Sequence, residues 1–273
     1  YLVQRKLKEL APNLHMNELN RQSYQKILNL YAERHEKTTT LDFHHHLKAS
    51  LFDAVDDGLL KADPTRRAII KGCSPSDKKL KYLNLFDLQT LLRSLNLREE
   101  LNWDWFFYLI AKTCLRFAEA LALTPEDFDF EKQSIIINKS WNYKEKHGHF
   151  QPTKNESSNR TIMVDWQLMQ QFQVMINNKE LNQPIFFSKE QRIYNSTLNQ
   201  KLASLCKNND IPIISIHGLR HTHASLLLYE GVSIASVAKR LGHNNTTTTQ
   251  ETYIHIIREL ENKDNDKILH HLS

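Results

Sequence analysis

The densest group of reactive side chains lies at residues 217–223, which read HGLRHTH. On a helix, His217 and Arg220 are three residues apart and therefore share a face. One face would then carry a titratable ring beside a cation, while His221 and His223 are predicted to point elsewhere. This spacing favours a site that handles negative charge and protons together.

Other candidate residues lie on both sides of that group. Downstream, Gly242 allows a turn that presents His243, and Tyr253 follows ten residues later. Upstream, the segment TCLRFAE places Arg116 in what its apolar pattern predicts to be a helix. An arginine among apolar residues is uncommon unless it is paired or functional, and Glu119 is spaced to hold it.

Lys154 adds a second kind of cation, in the polar segment PTKNESSNR at residues 152–160. That segment lies between two short β-branched runs, SIIIN at 134–138 and TIMV at 161–164, which predict a small sheet.

Together these residue types suit one reaction. A phosphodiester under in-line attack gains negative charge on its non-bridging oxygens, which two guanidiniums can clamp. A tyrosine hydroxyl can attack and form a phosphotyrosyl link. Histidine can take the phenolic proton or bind a phosphate oxygen, and lysine can protonate the leaving 5′ oxygen. Fixed cations would replace a metal ion in such a site.

Three segments, residues 113–123, 152–164 and 216–255, resemble the tyrosine recombinase (phage integrase) family, most of all the integrases of phages and conjugative transposons. The family signature is Arg…Lys…His-x-x-Arg…His…Tyr. In this sequence it falls on Arg116, Lys154, His217, Arg220, His243 and Tyr253. The run HGLRHTHASLLLYEGVSIASVAKRLGH and the later ETYIHI carry most of the likeness. Cys114 departs from it, since glycine is usual there, and we expect this to change packing only.

The resemblance implies a role for each of these residues. The two signature arginines would hold the scissile phosphate, and the two signature histidines would complete the pocket. Tyr253 would attack to give a 3′-phosphotyrosine and a free 5′ hydroxyl. Lys154, on a β-hairpin tip, would be the general acid, and Glu119 would support the site without reacting. No cofactor and no metal would be required.

The resemblance also implies a fold that is mainly α with a small β-sheet. Residues 1–72, which include HLKASLFDAVDDGLLKADPT, would form a helical core-type DNA-binding domain. The Lys-rich segment 73–82 would be a linker. Residues 83–273 would form a mixed α/β tyrosine-recombinase catalytic domain with a C-terminal tail. A tail helix at 258–272 would pack on its own domain or dock onto a neighbouring protomer.

Several local elements are predicted from spacing and capping. Asn20 and Asn84 would each cap a helix, and a further helix would stop at Gly58. Asp63-Pro64 would open a short helix, and 101–123 would be strongly helical. Further helices are predicted at residues 166–176, 197–205, 217–229 and 234–241.

Composition narrows the function classes. The 273 residues carry a net charge of +5, and the first 80 hold 14 basic and 10 acidic side chains. This excess predicts a polyanionic partner, and a soluble basic surface without such a partner explains it equally well. No GxGxxG or GxxxxGK[ST] occurs, which argues against a dinucleotide site or a P-loop. No apolar stretch is long enough to span a bilayer. The three cysteines, Cys73, Cys114 and Cys206, are predicted to be free thiols of a reducing cytosol.

We therefore expect a DNA strand transferase in the cytoplasm of a bacterial host. It would integrate or excise a mobile element and act on duplex DNA as a homotetramer, with an excisionase or a DNA-bending protein as an accessory partner. Family members often carry a further arm-binding domain before the part that this sequence resembles. The alternatives are a chromosome or plasmid dimer-resolving recombinase, a relaxing topoisomerase and a non-catalytic DNA-binding protein on this fold.

Two histidine patterns have other readings. His217 and His221 have a spacing that can bind zinc on a helix, which would make a metal-dependent hydrolase. Gly218 stands where the glutamate of HExxH would be, which argues against it. The run of three histidines at 44–46 is predicted to be a solvated or DNA-facing polar patch.

Overall fold

The computed structural model describes residues 2–74, 82–145 and 147–254. The chain divides into two compact units, residues 1–78 and 79–273. Most of the predicted linker and the whole predicted tail helix lie outside the described residues. In the described part of the chain, no helix is long and apolar enough to cross a membrane.

The first unit is built from helices. Its elements are α1 (Leu2–Leu10), a 3-10 turn (Met16–Glu18), α2 (Arg21–Ala32) and α3 (Lys37–Asp56). Asn20 caps α2 as predicted, because its side-chain oxygen accepts hydrogen bonds from the amides of Gln22 and Ser23. Apolar side chains of α2 and α3 form a small core around Tyr24, Leu28 and Phe43. The chain turns after α3 at Gly58, whose φ is +72°.

The predicted helix at Asp63-Pro64 is wrong, because residues 64–67 form only a turn. The Asp63 carboxylate accepts hydrogen bonds from the Thr65 amide (2.8 Å) and hydroxyl (2.6 Å). Two residues later Arg67 takes a left-handed φ of +58°. A left-handed residue cannot continue a right-handed helix, so the element ends after one turn.

The prediction for the histidine run is wrong for His44. Its ring is buried, and its Nδ1 lies 2.8 Å from the Tyr24 hydroxyl. Burial lowers the pKa of His44, so the ring is neutral and belongs to the core of the first unit. His45 and His46 are exposed, as predicted.

The second unit mixes helices with short strands, as predicted. Its helices are α4 (Leu85–Ser94), α5 (Trp103–Thr113), α6 (Phe117–Leu121), α7 (Trp166–Ile176), α8 (Asn195–Asn208), α9 (Ile216–Tyr229) and α10 (Ile234–Leu241). Its strands are β1 (Phe128–Asp129), β2 (Ser134–Ile137), β3 (Lys139–Trp141), β4 (Phe150–Pro152) and β5 (Arg160–Met163). Single 3-10 turns lie at Pro125–Asp127 and Glu156–Ser158, and residues 246–254 are helical.

The strands form two small antiparallel sheets. One has the order β1-β2-β5 and the other pairs β3 with β4. The two predicted β-branched runs become β2 and β5, and their buried Ile135 and Ile162 lie opposite each other. Helices α5 and α9 pack against each other, and the core of this unit contains buried aromatic residues such as Phe106 and Phe172.

The apolar stretch 101–123 is not one helix. Helix α5 ends at Thr113. The next residue, Cys114, has a φ of +67°, and α6 begins three residues after Cys114. Arg116 therefore caps α6 in a gap between two helices, and the prediction of an arginine within one apolar helix is wrong. The three cysteines are free thiols, as predicted, with Cys73 exposed and the other two buried.

Candidate active site

The gap between α5 and α6 directs Arg116 into a cluster of polar groups. Its Nη1 donates to Glu119 Oε1 (2.7 Å) and to Ser158 Oγ (3.1 Å). Its Nη2 donates to the carbonyl oxygen of Gly242 (2.9 Å). Because two side chains and one backbone carbonyl hold the guanidinium, its orientation is fixed in the free protein.

The second signature arginine projects from α9 and is held in a similar way. Arg220 is 2% exposed, and it donates to the carbonyl oxygens of Cys114 (2.5 Å) and Leu241 (2.6 Å). Burial lowers the pKa of Arg220 to about 10, so the guanidinium keeps its charge at neutral pH. The carbonyl oxygens of two consecutive residues thus hold both signature arginines.

His243 directly follows that turn. Its Nδ1 lies 2.8 Å from Thr249 Oγ1, and its Nε2 lies 3.5 Å from Arg220 Nη2. A guanidinium can only donate, so Nε2 is the acceptor and Nδ1 carries the proton. Desolvation, followed by the charges of Arg220 and Arg116, lowers the pKa of His243 to about 4. The ring is therefore neutral at neutral pH.

His217 lies in the first turn of α9 and is exposed. Partial desolvation, followed by the positive charges of Arg220 and Arg116, lowers its pKa. The structure thus brings four signature residues together as two charged guanidiniums beside two neutral imidazoles. This arrangement can bind an anion and can also accept or donate a proton.

The turn that holds the two arginines requires glycine. Gly242 has a φ of +65°, in the left-handed region. A Cβ atom there would lie 2.9 Å from Arg160 Nη1 and 3.1 Å from Ser158 Cα. Both the backbone conformation and the close packing therefore favour glycine over any larger residue.

Tyr253 is 2% exposed and packs against the apolar side chains of Cys114, Leu228 and Leu241. Its hydroxyl oxygen lies 2.9 Å from His221 Nδ1. Burial raises the pKa of Tyr253 above its usual value, so the hydroxyl is protonated. The nucleophile predicted from the sequence therefore lies in the interior of the second unit.

The prediction that His221 points away from His217 is wrong. The two residues are one helical turn apart, and their rings meet edge to face with centroids 4.6 Å apart. His223 does lie elsewhere: its Nδ1 donates to the carbonyl oxygen of Ala111 (2.8 Å) and its Nε2 accepts from Arg240 Nε (3.1 Å). Burial, followed by the Arg240 charge, lowers the pKa of His223 to about 4.

Lys154 lies between β4 and β5 and is exposed. It does not stand on a hairpin tip as predicted, because the β3–β4 hairpin turns within residues 142–149. Among the described residues it has no hydrogen bond or ion pair, and so none with Arg116 or Arg220. Another lysine of this region, Lys139 in β3, does form an ion pair: its Nζ lies 2.5 Å from Asp127 Oδ1.

Sequence reasoning missed Arg160, whose side chain is 4% exposed. It donates to Glu119 Oε2 (2.9 Å), to the Ser158 carbonyl (2.9 Å) and to the Arg240 carbonyl (2.7 Å). A signal was present in the sequence. Arg160 lies two residues before the buried Ile162, and in a strand alternate residues share a face.

Glu119 is the shared partner of Arg116 and Arg160, and it is 3% exposed. Burial alone would raise the pKa of its carboxyl, but hydrogen bonding to Arg160 and the charges of both arginines outweigh burial and hold the pKa at about 2. The carboxylate is therefore ionised and fully engaged.

The zinc reading gains no support from the geometry. In residues 2–74, 82–145 and 147–254, no group of three or more His, Cys, Asp or Glu side chains could hold a metal ion. One ring of the HxxxH pair, His221, is instead engaged through Nδ1 with Tyr253.

The described geometry agrees with what sequence comparison finds. The phage integrase family matches residues 81–259, which is more than half of the chain. The chain belongs to the phage integrase family. The signature residues all lie within the matched region.

Two relatives and one solved structure show how far the similarity extends. The ICEBs1 integrase of Bacillus subtilis (strain 168) is 25% identical over 81% of this chain and 62% of its own length. The integrase of Staphylococcus phage L54a is 30% identical over 56% of this chain and 49% of its own length. The chain thus spans between about half and two thirds of these relatives.

The fold is shared with the integrase of transposon Tn1549, solved in complex with a circular intermediate DNA. The TM-score is 0.72 at 16% identity, over 92% of this chain and 87% of that one. This likeness confirms the predicted fold class.

Proposed function

We propose that this chain is the catalytic part of a site-specific DNA recombinase that integrates or excises a mobile element. It would cleave and rejoin duplex DNA through a 3′-phosphotyrosyl intermediate. The observation that carries the proposal is the attachment of Arg116 and Arg220 to the carbonyls of Gly242 and Leu241, immediately before His243. This arrangement fixes two cations and a neutral imidazole around one space.

The site would act mainly on the charge of the transition state. When a nucleophile attacks a phosphodiester, its two non-bridging oxygens gain negative charge. Arg116 and Arg220 would donate to them, and preorganised donors of this kind lower the barrier without further reorganisation. The neutral ring of His217 would add a hydrogen bond to the same oxygens, and His243 would complete the pocket by contacting the Arg220 guanidinium through Nε2.

Tyr253 would be the nucleophile and Lys154 the general acid. In cleavage, the Tyr253 oxygen bonds to phosphorus while the bond from phosphorus to the 5′ oxygen breaks. Lys154 gives the leaving oxygen a proton, and Glu119 positions Arg116 without reacting. Rejoining runs the same steps backwards, so one phosphodiester replaces another and no nucleotide cofactor is consumed.

The partners follow from the same proposal. Duplex DNA carrying the recombination sites is the substrate, held largely through its phosphates. Exchange between two duplexes requires four protomers, so we propose a homotetramer on DNA, with an excisionase or a DNA-bending protein setting direction. The DNA of a bacterial host lies in the cytoplasm, where the protein would act. The two relatives compared above are both named integrases.

Covalent trapping tests the proposal. The protein is incubated, with EDTA present, with nicked duplexes whose binding has been measured first. We expect an adduct that survives denaturant in the wild type and disappears in Tyr253→Phe. Tyr194→Phe is the matched control, since Tyr194 is an exposed tyrosine of the same unit. Binding without any adduct would point to a non-catalytic DNA-binding protein, and cleavage that EDTA abolishes would exclude the metal-free mechanism.

A further inference from the structure

The family signature does not include His221, yet this ring touches the nucleophile. Its Nδ1 lies 2.9 Å from the Tyr253 hydroxyl, and its other side meets His217 edge to face at 4.6 Å. The three side chains form a continuous row from α9 to the helix at 246–254. One end of this row is the exposed His217, beside the arginine pair.

The burial of Tyr253 favours a hydrogen bond that runs from the hydroxyl to the ring. Tyr253 is 2% exposed and surrounded by Cys114, Leu228 and Leu241. If His221 donated instead, the phenolic hydrogen would face apolar atoms, and an unsatisfied buried donor costs about 1–3 kcal/mol. Among the described residues the acceptor for this hydrogen is the lone pair on Nδ1.

The neighbouring histidines are less suited to take that hydrogen. His243 uses Nδ1 toward Thr249 and Nε2 toward Arg220, so both of its ring nitrogens are engaged. His217 contacts the His221 ring, which lies between it and the hydroxyl. Only the His221 nitrogen is at hydrogen-bond distance from the reacting oxygen in the described part of the chain.

We propose that His221 is a catalytic residue that accepts the phenolic proton of Tyr253 during DNA cleavage and returns it during rejoining. In cleavage the Tyr253 oxygen bonds to phosphorus, its proton passes to His221 Nδ1, and the bond from phosphorus to the 5′ oxygen breaks. Lys154 gives that oxygen its proton. The inference rests on the proposed function and adds the proton acceptor to it.

The test uses His221→Asn. An asparagine oxygen can take the place of Nδ1 and accept the same hydrogen bond, but it does not take up a proton near neutral pH. We expect single-turnover adduct formation to fall about 100-fold, the range of general-base catalysis. DNA affinity and unfolding temperature should stay near wild type. His147→Asn, at an exposed histidine of the same unit, is the control, and His221→Gln is a second variant in case the first is unstable.

A second substrate distinguishes a defect in removing the proton of Tyr253 from a defect in protonating the leaving 5′ oxygen. When sulfur replaces the 5′ bridging oxygen, the leaving thiolate needs no proton, so Lys154→Ala should recover most of its rate. His221→Asn should remain slow on the same substrate, because its defect lies on the nucleophile side. Wild-type or faster cleavage by His221→Asn, or its recovery with the sulfur substrate, would overturn the inference. If the wild type forms no adduct on DNA that it binds, the proposed function itself has failed.

Discussion

Arg160 Nη2 lies 2.9 Å from Glu119 Oε2, inside the second unit. The same carboxylate accepts from Arg116, so one negative charge is shared between two guanidiniums. If Arg116 were the sole partner, the pair would be neutral. Because a second cation shares the carboxylate, the cluster keeps a net positive charge that can act on a phosphate.

Removing the Glu119 charge should be costly. Glu119→Gln leaves two guanidiniums close together without a counter-ion, and breaking a buried ion pair costs about 3–5 kcal/mol. We expect the free energy of unfolding, measured by urea titration, to fall by that order. Asp129→Asn is the control: it breaks the exposed pair with Lys132, which solvent screens, and should leave the free energy of unfolding close to that of the wild type. Equal losses in the two variants would contradict this account.

The stability of the protein should fall on mild acidification. The pKa values of His223 and His243 are lowered from 6.5 to about 4, so the unfolded chain binds more protons than the folded one between these limits. The free energy of unfolding should therefore decrease as the pH falls from 6.5 to 4. A series of urea titrations measures this slope, and His223→Gln should flatten it. A slope unchanged in that variant would show that His223 is not the cause.

Glu119 responds to acid at lower pH. Its pKa is lowered from 4.5 to about 2, so its contribution to stability is complete above pH 4.5 and is lost as the pH falls toward 2. Below pH 4, where the two histidines have titrated, the remaining acid sensitivity should be weaker in Glu119→Gln than in the wild type. Identical curves for the two proteins in that range would be the contrary result.

Arg220 should not be replaceable by lysine. An ammonium group keeps the charge but lacks the planar fork that contacts Cys114 and Leu241 together. We expect Arg220→Lys to lower the rate of adduct formation by about 100-fold or more, as when one preorganised donor is removed. DNA affinity should change much less. Arg192→Lys, at an exposed arginine that stacks on Tyr194, should cleave at the wild-type rate.

The left-handed conformation of Cys114 should reverse the usual order of stability of alanine and glycine variants at this position. Cys114→Ala keeps the unfavourable backbone and loses the buried sulfur, whereas Cys114→Gly removes a strain of about 1–2 kcal/mol. We expect the glycine variant to be the more stable of the two in thermal unfolding. Cys206, which is buried within α8, provides the control, because there glycine should be less stable than alanine by about 1 kcal/mol. The same order at both positions would argue against strain at Cys114.

The elements that the sequence predicts well carry local chemical markers. Asn20 and Asn84 cap α2 and α4 through their side chains, and asparagine at such a position is a strong helix-start signal. The break between α5 and α6 carries no glycine or proline at its turning residue, Cys114. It forms because the surrounding core buries both helices, which a local pattern does not reveal.

The site also has features that the local sequence predicts and features that depend on long-range packing. The type and order of the signature residues follow from the sequence, and the spacing of His217 and Arg220 correctly predicts their shared face. The contact between His221 and Tyr253 joins segments 32 residues apart and depends on how the helix at 246–254 packs. The prediction that Lys154 lies on a hairpin tip is wrong, because the β3–β4 hairpin turns before this residue.

The turn at Leu241 and Gly242 has one further consequence. Each of its two carbonyl oxygens binds one of the signature arginines. A displacement of this turn would therefore remove one hydrogen-bond acceptor from each guanidinium at the same time. The end of α10 thus couples the two signature arginines, and a substitution that shifts it would loosen both of them together.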